Sequence, residues 1–193
     1  MENREKILTS ALDLFYARGY DAVGIQQIVD AAGLTKPTMY YYFGSKRGLL
    51  DALLGEQYAR LEEKIDQAAV YNGNFPETLF LVAEAFFRFV CENRKVYSFM
   101  LSLFYTGQEN EGHKAVEPLI ARYYKKITAL FEAAAHELGN MNGRQKQFAL
   151  GFQGLLDMTF LMAGSRKPES EPIILDEEQI RGIIKQFMYG IYS

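Results

Sequence analysis

Between Gln26 and Arg47 the chain gathers side chains suited to gripping and reading a polyanion. Two adjacent amides stand at Gln26 and Gln27, a Thr35-Lys36-Pro37-Thr38 run follows, then three tyrosines at 40, 41 and 42, and a cation pair at Lys46 and Arg47. Against a nucleic-acid backbone, a tyrosine ring packs on sugar while its hydroxyl donates to a phosphate oxygen. In a major groove, Lys suits guanine O6/N7, Gln suits adenine N6/N7, and the Pro37 ring packs on a thymine methyl. Lys46 and Arg47 directly follow Ser45 at an expected helix start, where the macrodipole disfavours cations, so local physics does not ask for them there. A phosphate held by that helix N-terminus and Lys46 reverses the sign of the cost. The chemistry points to duplex DNA.

The elements that must hold these groups are legible in residues 25 to 46, IQQIVDAAGLTKPTMYYYFGSK. Ile25, Ile28 and Val29 fall at helical spacing, Gly33 stands where a helix ends with φ > 0, and Thr35 is placed to cap a second helix. Two short helices joined by a tight turn make a helix-turn-helix. A second helix this short has one buried stripe, which Met39 and Phe43 take at i and i+4, so at least two of the tyrosines face outward.

This segment resembles the DNA-binding domain of TetR family transcriptional regulators. The resemblance rests on Ala32-Gly33, the Thr35 cap, the block Tyr40 to Phe43, and Lys46 opening the next helix, and it covers roughly residues 5 to 52. Val23 and Gly24 depart from it, because the family usually has Thr or Ser ahead of the first of these helices. Gly can N-cap but offers no hydroxyl to a phosphate. The resemblance implies base contacts from Gln26, Lys36 and Tyr42 and phosphate contacts from Thr38, Tyr40 and Lys46, with Thr35, Pro37 and Tyr41 on the same face. It also implies a helix-turn-helix domain over residues 1–46, a ligand-binding and dimerisation domain over 47–193, and a repressor released from a palindromic operator by an apolar or amphipathic effector.

With 193 residues and 49% hydrophobic composition, the chain can bury a substantial core. A net charge of −3 argues mildly against a DNA binder, but residues 1 to 50 hold six Lys/Arg against five Asp/Glu, leaving fifteen against nineteen for the rest. The repulsive charge lies away from the motif. The one cysteine, Cys91, excludes an internal disulfide and multi-cysteine zinc sites and fits a reducing, cytoplasmic setting. No metal or cofactor is indicated. No signal peptide is read at the N-terminus, and Glu84, Arg88, Gln153 and Asp157 interrupt the most apolar stretches, so a soluble protein with no membrane partner is expected. No Ser/His/Asp, Cys/His or carboxylate–His grouping has catalytic spacing, so an enzyme is not expected. The alternatives are a DNA-binding regulator without a small-molecule effector, or a helical carrier of apolar ligands, which leaves Thr35 to Lys46 unexplained.

Helical periodicity runs throughout, giving an all-α chain of about nine helices. The first carries Ile7, Leu8, Ala11, Leu12 and Phe15 and ends at Gly19. The fourth, capped by Ser45, runs to about Val70 and couples the motif to the remainder. Helices are expected over 76–92, 94–105 and 116–138, with Tyr97 to Tyr105 buried on every side. The five prolines are expected near helix starts or in loops, and His113 and His136 on the surface. The last two helices carry Phe148, Phe152, Leu155, Thr159 and Met162, then Ile180, Ile184, Phe187 and Ile191, at heptad spacing. Such stripes suit either an internal core or, as the resemblance implies, a dimer interface through Phe148, Phe152, Leu155, Ile180, Ile184 and Phe187. Fourteen Phe and seven Met without Trp are many for a filled core. With the resemblance, they place an effector pocket among Phe86, Phe89, Met100, Phe104, Tyr123 and Phe131.

Overall fold

The computed structural model describes every residue except 1, 139, 140, 166, 169 and 191–193, so Ile191 of the last stripe lies outside the described residues. Among the described residues there are nine helices and no strand, as the periodicity predicts. They are α1 (Asn3–Arg18), α2 (Ile25–Ala32), α3 (Lys36–Phe43), α4 (Lys46–Ala68), α5 (Phe75–Glu92), α6 (Arg94–Phe104), α7 (Glu111–Ala133), α8 (Gln145–Ser165) and α9 (Glu177–Tyr189). Two compact units share them. The first is Met1–Ala59 with Arg94–Ile120, and the second is Arg60–Asn93 with Ala121–Ser193. Helices α4 and α7 each run from one unit into the other.

In the first unit, α1 packs on α2, α3 and α6. Ile7, Ala11 and Phe15 of α1, Ile28 and Val29 of α2, and Met39 of α3 are all buried. The Phe15 ring stacks on Phe99 of α6 at 5.8 Å and meets Tyr20 edge-on at 5.2 Å. Each such large apolar side chain contributes about 1.5–3 kcal/mol on burial. This core draws on a helix almost eighty residues downstream of α1, which a reading of the local motif does not contain.

In the second unit, α5 packs on α8 and α9. Asn74 caps α5, its Oδ1 accepting the Glu77 N–H at 3.2 Å, and Asp176 caps α9 in a reciprocal box with Gln179. The Arg181 guanidinium lies 3.7 Å from the Phe80 ring centroid and pairs with Glu77 and Glu177, joining α9 to α5.

Three expectations are corrected. Helix α7 begins at Glu111 rather than 116, so Pro118 lies inside it, its missing N–H leaving the Lys114 carbonyl without its usual partner. Helix α6 is not buried all round, because Ser102 faces outward and Tyr105, just past its end, is 77% exposed. His113 is not a surface residue: it is half-buried and stacks on Phe104 at 5.5 Å. Its Nδ1 donates to the Phe104 carbonyl at 2.9 Å, since that oxygen can only accept.

Candidate nucleic-acid interface

Helix α2 starts at Gly24, whose extended backbone (φ −91°, ψ 157°) serves as a cap without a side chain. Gln27 supplies what is lacking, its Oε1 accepting the Gly24 N–H at 2.8 Å. Gln26, one residue earlier and also exposed, donates from Nε2 to Asp30 Oδ1 at 2.7 Å. The helix closes at Gly33 in the left-handed region (φ 66°, ψ 34°), where the Leu34 N–H returns to the Val29 carbonyl.

Thr35 caps α3 as its position predicts, with Oγ1 3.5 Å from the Thr38 nitrogen and 2.9 Å from the Thr38 hydroxyl. Pro37 occupies the first turn, where no N–H is required. Met39 is buried completely, and Phe43 is half-buried with the Arg4 guanidinium 5.5 Å from its ring. With the inward stripe taken, Tyr40, Tyr41 and Tyr42 stand 47%, 83% and 39% exposed. Tyr41 and Tyr42 meet edge-on at 5.1 Å, so each restricts the other's rotamers.

The turn into α4 has no slack. Ser45 Oγ accepts the Gly48 N–H at 2.9 Å, and a Cβ at Gly48 would fall on the Phe43 carbonyl oxygen, far inside van der Waals contact. Only glycine fits there. The two cations opening α4 both have partners within the chain, which corrects the expectation that nothing local asks for them. Lys46 Nζ donates to the Tyr20 carbonyl at 2.6 Å and sits 4.2 Å from the Tyr20 ring centroid. Burial pushes its ammonium down from the ordinary lysine value, against the pull of Asp21. Arg47 pairs with Asp51 and Glu111, each at 2.8 Å, and the hydrogen bond it donates to Asp51 leads the causes that push its guanidinium up. Offset by these contacts, the charges cost less at the helix N-terminus than the macrodipole alone would exact.

All nine expected DNA-contact residues thus belong to the first unit, seven of them exposed and Thr38 and Lys46 half-buried. The expected pocket residues divide between the units: Met100 and Phe104 belong to the first, Phe86, Phe89, Tyr123 and Phe131 to the second. The latter four are buried, with Phe86 and Tyr123 rings 6.4 Å apart. Of the six, Phe131 lines a cavity of about 390 Å³, together with Phe75, Leu138, Met141, Phe148, Phe187 and Met188, and with Glu137 and Arg144. Of the expected dimer residues, Phe152, Ile180 and Ile184 are buried within the second unit, while Phe148, Leu155 and Phe187 are half-buried. The large apolar side chains that α8 turns outward are Leu150, Met158 and Met162, at 62%, 54% and 57% exposure.

Residues outside the motif also hold the reading face. Lys95 bonds Asp13 at 2.6 Å, Asn110 bonds Asp21 at 2.6 Å, and Glu111 takes Arg47. No sequence signal announces such pairs at separations of 64 to 89 residues. The Gln26–Asp30 pair, by contrast, has ordinary i,i+4 helix spacing and was open to sequence reasoning.

A capped three-helix motif with outward tyrosines and a lysine at the start of the recognition helix defines a helix-turn-helix DNA-binding transcriptional regulator. Residues 7–53 match the family model described as bacterial regulatory proteins, tetR family. Over those residues the chain carries the DNA-binding domain of that family of transcriptional regulators. Among its relatives, the transcriptional activator FasR of Mycolicibacterium smegmatis is 29% identical over 155 residues, covering 78% of this chain and 67% of that protein. A candidate fatty acid metabolism regulator from Clostridium perfringens has the same fold, with a TM-score of 0.83 at 20% identity over 96% of this chain and 98% of that one. AibR, solved with isovaleryl coenzyme A and operator DNA, has a TM-score of 0.73 at 22% identity over 96% and 97%. Among the described residues no helix is long and apolar enough to cross a membrane.

Proposed function

We propose that the chain is a homodimeric repressor that binds a two-fold symmetric operator and is released by an acyl thioester or a similar amphipathic acyl compound. The observation that carries the DNA-binding half is the surface built from Thr35, Lys36, Pro37, Thr38 and Tyr40 to Tyr42 on a capped helix whose inward stripe is already spent. Lys36 and Pro37, in the first turn of α3, enter the groove. Gln26 and Tyr42 reach base edges beside them, and Thr38, Tyr40 and Lys46 hold phosphates. Lys46 uses one N–H on Tyr20 and has two left for an oxygen.

Support for the effector half comes from the roughly 390 Å³ cavity, a size and apolar lining typical of small-molecule sites, and from the acyl-coenzyme A in the AibR complex. Support for the dimer comes from the outward stripe Leu150, Met158 and Met162, which water disfavours and a second copy would cover. Release is a population shift: the effector needs only to bind one arrangement of the two reading heads better than the other. The test is selection of duplexes from a randomised pool by the purified chain, followed by anisotropy with the selected duplex and saturated and branched acyl-coenzyme A. Recovery of a palindrome whose complex dissociates with one acyl class is expected. Failure to select any motif overturns the DNA reading, and a complex indifferent to every acyl compound overturns the effector.

A further inference from the structure

Two adjacent glutamines open α2 on its exposed side, and the structure gives them different tasks. The carbonyl oxygen of Gln27 is committed to the Gly24 N–H, replacing the hydroxyl cap that Gly24 cannot provide. Gln26 caps nothing, and its carboxamide is held instead by Asp30, one turn along the same helix face, at 2.7 Å. A carboxylate can only accept, so the atom facing Asp30 must be the amide nitrogen, and the two ends of the carboxamide are no longer interchangeable. Asp30, one turn toward the helix C-terminus, takes one of the two N–H groups. The outward edge then presents Oε1 and the remaining N–H side by side.

We infer that Asp30 is a positioning residue that makes Gln26 an adenine-selective reader. An acceptor beside a donor complements adenine, whose major-groove edge offers the N6 amino group to Oε1 and N7 to the N–H. Guanine offers two acceptors at the same places and leaves Oε1 facing O6. Without Asp30 the carboxamide turns freely and can offer a lone N–H to either purine, so discrimination falls although the glutamine remains. Asp30 also carries a negative charge on the DNA-facing unit, so its removal strengthens contact with phosphates of any sequence while weakening sequence choice. Those opposed effects are the signature of a residue that orients another, since a merely structural residue lowers both together.

The inference rests on Gln26 touching a base. Both side chains are exposed, so substitutions leave the fold intact, as thermal unfolding verifies. Full-length wild type, Gln26→Ala, Asp30→Ala, Asp30→Asn and the Gln26→Ala/Asp30→Ala double variant are each used to select from a randomised duplex pool, and the motifs are compared. At one base pair per half-site, the adenine-over-guanine preference is expected to fall roughly fivefold or more in Asp30→Ala. Asp30→Asn, which keeps an acceptor, should retain most of it. Asp30→Ala should also bind unrelated duplexes more tightly, and adding it to Gln26→Ala should change the motif no further. A wild-type motif from Asp30→Ala, or a change of equal size in the Gln26→Ala background, overturns the positioning role while leaving the reading of Gln26 standing. A motif unchanged by Gln26→Ala removes that reading, and the inference with it.

Discussion

Lys46 shows how one side chain can serve the fold and the ligand together. Its ammonium is hydrogen-bonded to the Tyr20 carbonyl and lies over the Tyr20 ring, so Lys46→Ala should lose about 1–2 kcal/mol of stability from those contacts. If two N–H groups also reach phosphate, the same substitution lowers the slope of log affinity against log salt by about 1 per half-site. Thermal unfolding reads the first effect and anisotropy across a salt series reads the second, so the two roles separate cleanly. Tyr40→Phe should weaken binding to all sequences alike, because a phosphate contact carries no base information, and Lys36→Ala should relax choice at one base pair. Unequal losses across unrelated duplexes for Tyr40→Phe would place that hydroxyl on a base instead.

At the scale of elements, the turn between α3 and α4 fixes how the recognition helix is presented. Gly48→Ala would ordinarily favour a helix by about 1 kcal/mol. Here the added methyl meets the Phe43 carbonyl, so the turn must open, and a net destabilisation of about 2 kcal/mol or more is expected together with weaker operator binding. A melting temperature at or above that of the wild type would show that the turn relaxes freely. The motif is also tied to distant sequence. A fragment ending at Ala59 loses Phe99, on which Phe15 stacks, as well as Lys95 and Asn110, which bond Asp13 and Asp21, and Glu111, one of the two acidic partners of Arg47. Such a fragment should lack a cooperative unfolding transition by circular dichroism, whereas the full chain shows one. Exposed ion pairs contribute little each, about 0–1 kcal/mol, so the loss resides mainly in the aromatic contact.

For the whole molecule, the heptad stripes and the outward face of α8 make opposite demands on mutagenesis. Phe152 is buried against Phe131 and Phe187, so a charge there unfolds the second unit whatever the oligomeric state. Met158→Glu and Leu150→Glu touch exposed side chains and should leave a folded chain that no longer pairs. Sedimentation at micromolar concentration checks this: a dimeric wild type and folded monomeric variants are expected, and a monomeric wild type ends the dimer reading. Phe148→Trp, which adds bulk to the lining of the 390 Å³ cavity, should abolish response to acyl compounds while ligand-free operator affinity stays within about twofold. Parallel loss of stability and affinity would instead mark Phe148 as packing.

The sequence by itself determined the helical class and the local chemistry of the reading head. Gly33, the Thr35 and Ser45 caps, the Met39 stripe and the outward tyrosines all act within a few residues of chain, where spacing and backbone preference are sufficient causes. It also carried the resemblance to the family, since the motif is local. Only the tertiary structure decided which partners the charges take, because Lys46 meets Tyr20, Arg47 meets Glu111 and Phe15 meets Phe99 through chain reversals that no local pattern encodes. The same holds for the ambiguous stripes. Heptad spacing says that Phe152, Ile180 and Ile184 face an apolar surface, but whether that surface belongs to the same chain or to another depends on how helices pack. The aromatic excess likewise marked a large apolar interior, and packing alone determined that Phe86 and Tyr123 lie against each other while Phe131, Phe148 and Phe187 border open space.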